Sequence, residues 1–214
     1  MAADVALLDD AVRLGTASLR FYRWDPPTLS IGRNQPLDGV AADGIAVVRR
    51  PTGGQAVWHD HEVTYAVAAP IAHFGSLRNA YCQIHTRIAA ALRSLGVDAV
   101  LAPGRPAVRP SDRRASCFAS SVGGEILVNG RKLVGSAQVR RAGAFLQHGS
   151  ILLDGSQGRA GGGTGETTLT VVLGRPATFG EVATAIVANW GERLTPSDSA
   201  TVPRSDVVAS LAPR

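Results

Sequence analysis

The chain has 214 residues, 45% of them hydrophobic and 18% charged, with a formal net charge of +5. That balance is the one expected of a soluble globular protein of about one domain, and no apolar run is long enough to cross a bilayer. Two cysteines, Cys82 and Cys117, are too few for a disulfide framework and lack metal-ligand spacing, so a reducing cytoplasm is the expected compartment. Asp4, Asp9 and Asp10 near the start do not read as a secretory leader. A basic chain in which arginine outnumbers lysine favours an acidic partner. No zinc-finger spacing, basic helix or aromatic RNA-binding strand accompanies that charge, so neither nucleic acid nor membrane is the expected partner.

Ala2 to Leu14 places Val5, Leu8 and Val12 on one face and predicts a first helix. Strands are expected at Ser18–Tyr22 and Thr28–Ile31, separated by the Asp25-Pro26-Pro27 turn, then at Ile45–Arg49 and Glu62–Ala68. The clearest helix runs from Leu77 to Leu95. There Leu77, Tyr81, Ile84, Ile88, Leu92 and Leu95 recur at steps of three and four, and Gly96 ends it. A loop over 103–116 carries Arg105, Arg109, Arg113 and Arg114. Glu125–Val128 and Lys132–Arg140 flank Asn129-Gly130, a strong hairpin signal, and Phe145–Leu153 follows after a turn near Gly143. Gly155–Gly165 reads as a flexible connector without the P-loop lysine and serine. A last helix begins at Thr178, where Thr178 and Glu181 make a capping box, and turns Val182, Ile186 and Trp190 inward. Residues 1–195 read as one domain and 196–214 as a tail with few anchors, free to move. The class is α+β with a mixed or antiparallel sheet.

Three stretches carry candidate chemistry. Arg49-Arg50-Pro51-Thr52-Gly53-Gly54-Gln55 is a turn whose adjacent glycines let backbone approach a ligand and whose arginines suit a phosphate or carboxylate. Gly130-Arg131-Lys132-Leu133-Val134-Gly135-Ser136-Ala137-Gln138 opens with a lysine able to polarise a carbonyl; the plainer alternative is a solvated lysine on an edge strand. Leu146-Gln147-His148-Gly149-Ser150 places His148 at the mouth of an apolar strand as a base or hydrogen-bond donor, or as a structural histidine. His59 beside Asp60 suggests a base and its orienter, with the same plain alternative.

Together these stretches resemble the lipoate–protein ligase and octanoyltransferase superfamily. Arg49–Asp60 is similar to its arginine and double-glycine signature. Gly130–Gln138 is similar to its lysine strand, and Gln147–Leu153 to its histidine-glycine-serine strand. Met1 to Leu8 and Trp24–Gln35 look like the family's opening. The likeness runs in order to Leu153, about seven-tenths of the chain. It implies a biotin/lipoate ligase type catalytic domain, with a mixed sheet, flanking helices and a tunnel for an acyl chain. It further implies that Arg50, Gly53 and Gly54 line the acyl or phosphate end, that His59 stands on the neighbouring strand, and that Lys132 contacts the acyl carbonyl. Gly135, Ser136, Ala137, His148 and Gly149 are carried over as substrate-binding positions. Gln55 departs from the pattern, standing where many relatives have a third glycine.

Two chemistries divide that superfamily. A ligase activates free lipoate with ATP and Mg2+; a transferase takes octanoate from acyl carrier protein and needs no cofactor, in one branch through a cysteine thioester. Ser116-Cys117-Phe118 followed by Glu125-Ile126 resembles the cysteine-dependent octanoyltransferases, as does Glu62-Val63-Thr64-Tyr65. Cys117 lies fifteen positions before Lys132, and Arg113, Arg114 and Lys132 supply a positive field that lowers a thiol pKa. Cys117 is therefore the expected nucleophile, while Cys82, one step off the helical stripe, is expected to be structural. Gly123-Gly124 departs from the family, where an aromatic often precedes the glutamate. The expected acceptor is a lipoyl domain or a glycine-cleavage H-type protein. The alternatives are an ATP-dependent lipoate–protein ligase and a non-catalytic acyl- or carrier-binding relative.

Overall fold

Runs of period two and period 3.6 alternate along the chain, and in the computed structural model they become the layers of one sheet-and-helix fold. Residues 1–36, 44–103, 118, 123–161, 165–191, 194–196 and 207–211 are described. In chain order the elements begin with helix α1 (Ala2–Leu14) and strands β1 (Ser18–Tyr22), β2 (Thr28–Ile31), β3 (Ala46–Arg49), β4 (Val57–His59) and β5 (Glu62–Pro70). Helices α2 (Ile71–Phe74) and α3 (Leu77–Ser94) follow, then strands β6 (Val100–Leu101), β7 (Ile126–Val128), β8 (Arg131–Arg141) and β9 (Ala144–Leu152). Helices α4 (Leu169–Leu173) and α5 (Phe179–Ala188) and strands β10 (Leu194–Pro196) and β11 (Val207–Leu211) complete the described residues.

Among these residues the main sheet has eight strands in the order β10-β11-β1-β5-β9-β8-β7-β6, each neighbouring pair antiparallel. A smaller sheet, β3-β2-β4, holds the parallel pair β2–β3. The β7–β8 corner needs left-handed backbone at both central residues, which Asn129 (φ 51°) and Gly130 (φ 73°) supply. Ala142 and Gly143 do the same between β8 and β9.

One face of the main sheet buries Leu19, Phe21, Val67 and Phe145 against Ile84, Ile88 and Leu92 of α3, and against Val182, Ile186 and Trp190. Each such fully buried apolar side chain contributes about 1.5–3 kcal/mol. The other face packs Leu7, Leu8 and Ala11 of α1 on Ala66, Ala68 and Leu146. The inward face of α1 is thus centred on Asp4, Leu7, Leu8 and Ala11, with Val5 and Val12 only half-buried at its flanks. The capping box of α5 is formed: Thr178 Oγ1 accepts from Glu181 N, and Glu181 accepts from Thr178 N.

Two features differ from expectation. Val207–Leu211, in the stretch expected as a tail, pairs with Ser18–Phe21 inside the main sheet. Part of the glycine-rich connector is also built in: Gln157 clasps Trp58, donating to its carbonyl and accepting from its N–H, and Lys132 N donates to Gly165 O.

Candidate active site

Register brings the site together. Across the sheet, Tyr22, Thr64, Ser150 and Gly135 form one row on the α1 face, and Arg20, Ala66, His148 and Ala137 form the next. Between them, pointing to the α3 face, lies the row Phe21, Tyr65, Gly149 and Ser136. Above the first two rows sits the small sheet, which delivers Ser30, Arg50 and His59.

Arg50 is buried, and its guanidinium is spent on the chain itself. It donates to the carbonyls of Ser30, Gly53 and Gln55 and to Ser30 Oγ. Arg49 similarly donates to the carbonyls of Gly32, Arg33 and Gln35. The two arginines therefore hold the glycine turn from both sides. Gly54 (φ 92°) needs its glycine for left-handed backbone, and a Cβ on Gly32 would stand 1.9 Å from Gly54 O. Gly53 has nothing within 4 Å of where a Cβ would be and no positive φ. Its freedom from side-chain bulk is spare room, as a backbone-approached ligand would require.

Two buried histidines link this turn to the sheet. His148 faces Asp4 Oδ2 through Nδ1 (3.0 Å) and Thr52 Oγ1 through Nε2 (2.7 Å). Asp4 also accepts from Arg20 and Tyr22. Burial opposes the charge on Asp4, but the His148 hydrogen bond and the Arg20 charge hold its carboxyl below the usual range. Burial lowers His148 more than Asp4 raises it, so the imidazole is neutral, donates from Nδ1 and accepts from Thr52. His59 repeats the arrangement with Glu62 on Nδ1 (2.7 Å) and Ser30 on Nε2 (2.7 Å). Its partner is thus Glu62 and not the expected Asp60; Trp24 stacks on its ring at 4.3 Å.

Lys132 is 2% exposed, and its Nζ lies 2.7 Å from Glu125 Oε1, equally buried. The solvated edge-strand reading is thereby excluded, since β8 has β7 and β9 on its two sides. The Phe118 ring lies 5.1 Å from Lys132 Nζ, and its Cζ would come within 3.0 Å of a Cβ on Gly135. Cys117 lies outside the described residues. Cys82 is exposed on α3 and belongs to no core cluster.

A small cavity of about 30 Å3, open at its mouth, runs over these rows. Its border is shared by Tyr22, Ser30, Arg50, Val57, His59, Thr64, Gly135, Ser136, Ala137, His148, Gly149 and Ser150. Val57 packs with Phe118 at the Lys132 end. A slot bordered by strand backbone at one side and by hydrogen-bonded histidines at the other suits an uncharged chain better than a polyanion, because every nitrogen of the nearest guanidinium is already engaged.

A family model, the lipoyl protein ligase A/B catalytic domain, matches residues 1–190. The chain belongs to that family. Octanoyltransferase LipM of Moorella thermoacetica is 45% identical over 163 residues, covering 72% of this chain and 60% of that one. Its namesake from Carboxydothermus hydrogenoformans is 40% identical over 163 residues with the same shares. The chain thus spans about 60% of the length of these curated relatives. Among solved structures, one from a structural analysis of a bi-partite lipoate protein ligase and its E2 lipoyl domain from Thermoplasma acidophilum superposes with a TM-score of 0.62 at 21% identity. That match covers 88% of this chain and 77% of the other, and it shows the fold: α+β, of the biotin/lipoate ligase type.

Of the positions singled out in the sequence, Arg50, His59, Gly135, Ser136, Ala137, His148 and Gly149 border one cavity of this lipoyl ligase A/B domain. Lys132 stands at its end, beside Gly135, and Gly53 and Gly54 lie one step behind Arg50. Sequence reasoning missed Asp4, Thr52, Glu62, His85 and the pairing of Glu125. For Asp4 a signal existed: it shares the helical face of Leu7, Leu8 and Ala11, where a buried charge demands a partner.

Proposed function

We propose that this chain is an acyltransferase of protein lipoylation, moving an octanoyl or lipoyl group from acyl carrier protein, through a Cys117 thioester, to a lysine of a lipoyl-carrier protein. The observation that carries this reading is the buried Lys132–Glu125 pair beneath Phe118, at one end of a cavity suited to an uncharged chain. Lys132 is the only lysine in the chain. Where every other basic side chain is arginine, a lysine in this buried position supplies what arginine cannot: a compact ammonium able to give up and regain a proton. Phe118 follows Cys117 directly, so support for Cys117 as nucleophile comes from its neighbour's packing against Lys132.

In the proposed reaction the Cys117 thiolate attacks the thioester carbonyl of the donor. A new C–S bond forms, the donor's C–S bond breaks, and the carrier thiol leaves with the proton taken from Cys117. The ε-amine of the acceptor lysine then attacks the acyl-enzyme, forms the amide and returns the thiol to Cys117. Lys132 is the group positioned to polarise the carbonyl in both steps. The donor thioester is already activated, so the transfer needs no cofactor; ATP and Mg2+ belong to the ligase alternative. The relatives named octanoyltransferase support the transferase reading, and the T. acidophilum ligase named with its E2 lipoyl domain supports a lipoyl domain as the acceptor class, with an H-type protein the alternative acceptor. No described helix is long and apolar enough to cross a membrane, and we take the site of action to be cytoplasmic.

Intact-mass measurement after mixing with octanoyl-acyl carrier protein, without ATP, tests the reading. An octanoyl adduct on the parent and none on Cys117→Ala is expected. No adduct, with acyl-adenylate appearing once ATP, Mg2+ and free octanoate are added, makes the chain a ligase.

A further inference from the structure

Strand β8 breaks its own alternation next to Lys132. In a regular strand Lys132 would share the α3 face of Val134 and Ser136. Instead Ile126 stands opposite Val134 while Leu127 stands opposite Lys132, so Leu133 is an extra residue, a β-bulge. Leu133 and Val134 both lie in the core beneath α3, and Lys132 is turned to the cavity side. A Cβ on Gly135, at the cavity border, would come within 3.1 Å of Lys132 Cε. A bulge re-aims a side chain at the expense of the ladder, so the lysine it aims needs another support.

That support comes from the connector after β9. Strand β9 pairs with β8 only as far as Val134, opposite Ile151. Beyond it, Lys132 N donates to Gly165 O (2.8 Å) and Thr167 N donates to Lys132 O (2.9 Å), a parallel bridge centred on Glu166. Glu166 is buried, and its Oε1 accepts from Gln157 N (3.3 Å). Gln157 is buried too, and its side-chain amide spans one residue of β4. Oε1 accepts from Trp58 N (3.0 Å) and Nε2 donates to Trp58 O (2.8 Å). Every direction in this series is fixed, because a main-chain N–H only donates and a main-chain carbonyl or carboxylate only accepts. Strand β4 is the edge of the small sheet, and the Gln157 amide closes that edge at Trp58 as a neighbouring strand would.

Trp58 stands between Val57 and His59, both on the cavity border. The two walls of the cavity, one carrying Lys132 and the other His59, are therefore joined behind it by Glu166 and Gln157. We propose that Gln157 and Glu166 are positioning residues that clamp the Lys132 bulge to the edge of β4 and so fix the ammonium relative to the His59 wall. Neither borders the cavity, so their influence on a bound acyl group passes through Lys132 and β4. Glu166 acts here as an acceptor and not as a charge: its Oε2 has no hydrogen-bond partner among the described residues.

The rate half of this inference rests on the acyl-transfer reading; the clamp itself does not. The experiment therefore has two arms on the full chain. In amide hydrogen exchange of the parent, Trp58, Lys132 and Thr167 should open as one unit, with rates within about tenfold of one another. A wider gap between Trp58 and the other two overturns the proposal whatever the reaction. In the second arm, acyl-enzyme formation is timed against octanoyl-acyl carrier protein concentration. Gln157→Leu, and Gln157→Asn with an amide too short to reach both Trp58 groups, should slow the maximal rate roughly ten- to a hundredfold, the scale of a misplaced catalytic group, with half-saturation unchanged. Glu166→Ala should do the same, and Glu166→Gln, which keeps an acceptor for Gln157 N, should restore most of the rate. Thr178→Ala, which opens the α5 capping box, controls for lost stability and should load like the parent. Parent-like rates in the Gln157 variants, equal loss in Glu166→Ala and Glu166→Gln, or a loss as large in Thr178→Ala overturn the proposal. If the Gln157 variants do not fold, the Glu166 pair decides. A parent that takes no acyl group defeats the transfer reading instead and leaves the exchange arm standing.

Discussion

Lys132 Nζ and Glu125 Oε1 lie 2.7 Å apart with 2% of each side chain exposed, a buried ion pair at the cavity end. Two charges taken out of water depend on each other: removing one strands the other in a medium that cannot solvate it. Glu125→Ala is expected to destabilise the fold by about 3–5 kcal/mol in urea unfolding. The double variant Glu125→Leu with Lys132→Met is expected to regain most of that loss while remaining inactive. Such a split would separate the pair's part in stability from its part in chemistry; activity surviving in the double variant would remove Lys132 from the reaction.

Lys132→Arg keeps the charge but not the shape or the exchangeable proton. We expect acyl transfer to fall by about 10²-fold or more, the usual worth of a positioned acid–base group, measured as the rate of octanoyl adduct formation. A parent-like rate would mean that charge alone suffices there.

The glycine turn yields a contrast. Gly32→Ala places a methyl 1.9 Å from the Gly54 carbonyl and should prevent the small sheet from closing, seen as a large fall in Tm. Gly53→Ala meets nothing within 4 Å and should leave stability within about 1 kcal/mol of the parent or slightly above it. Its acyl loading should nevertheless drop, because the methyl would occupy spare room beside the cavity. Unchanged loading in a folded Gly53→Ala would place the substrate elsewhere.

The Asp4 network predicts a graded series. Thr52→Val leaves His148 Nε2 without its donor and should cost about 1–3 kcal/mol. Asp4→Ala strands Arg20 in a buried position and also frees His148 and Tyr22, so its cost should exceed that of Thr52→Val in the same denaturant series. The reverse order would show that Thr52, not Asp4, is the keystone.

Acid stability follows from the same groups. His85 titrates at about 4 in the folded chain against 6.5 in the unfolded one, and His148 is also lowered. Between those values the unfolded chain binds protons that the folded chain refuses. Stability is therefore fully present above 6.5 and falls as pH drops toward 4, by about 1.4 kcal/mol per unit for His85, with the lowered His148 adding a loss of the same sign. Asp4, lowered from 3.8, adds its own loss below that point. Urea midpoints recorded at pH 7 and 5 should differ accordingly in the parent, and less in His85→Phe.

Much of the fold was legible because its signals are local. The α3 stripe, the Asn129-Gly130 corner and the Thr178–Glu181 box each depend on residues a few positions apart, and each stands in the structure where the pattern put it. Val207–Leu211 carried no comparable mark. It is a strand because β1 has a free edge for it, a fact about Ser18–Phe21 and not about its own residues. His85 escaped notice for a related reason: a histidine among apolar positions gives no hint of a serine 51 residues away.

By itself, then, the sequence determined the main helices and central strands, the Asn129-Gly130 turn that needs left-handed backbone, the family, and the stretches that would meet a ligand. It could not say that Asp4 holds His148 across 144 positions, that Arg50 serves the glycine turn before any substrate, or that Lys132 is neutralised by Glu125. Those pairings follow from strand register, which sets which side chains share a row, and from burial, which forces every charge in that row to find a partner.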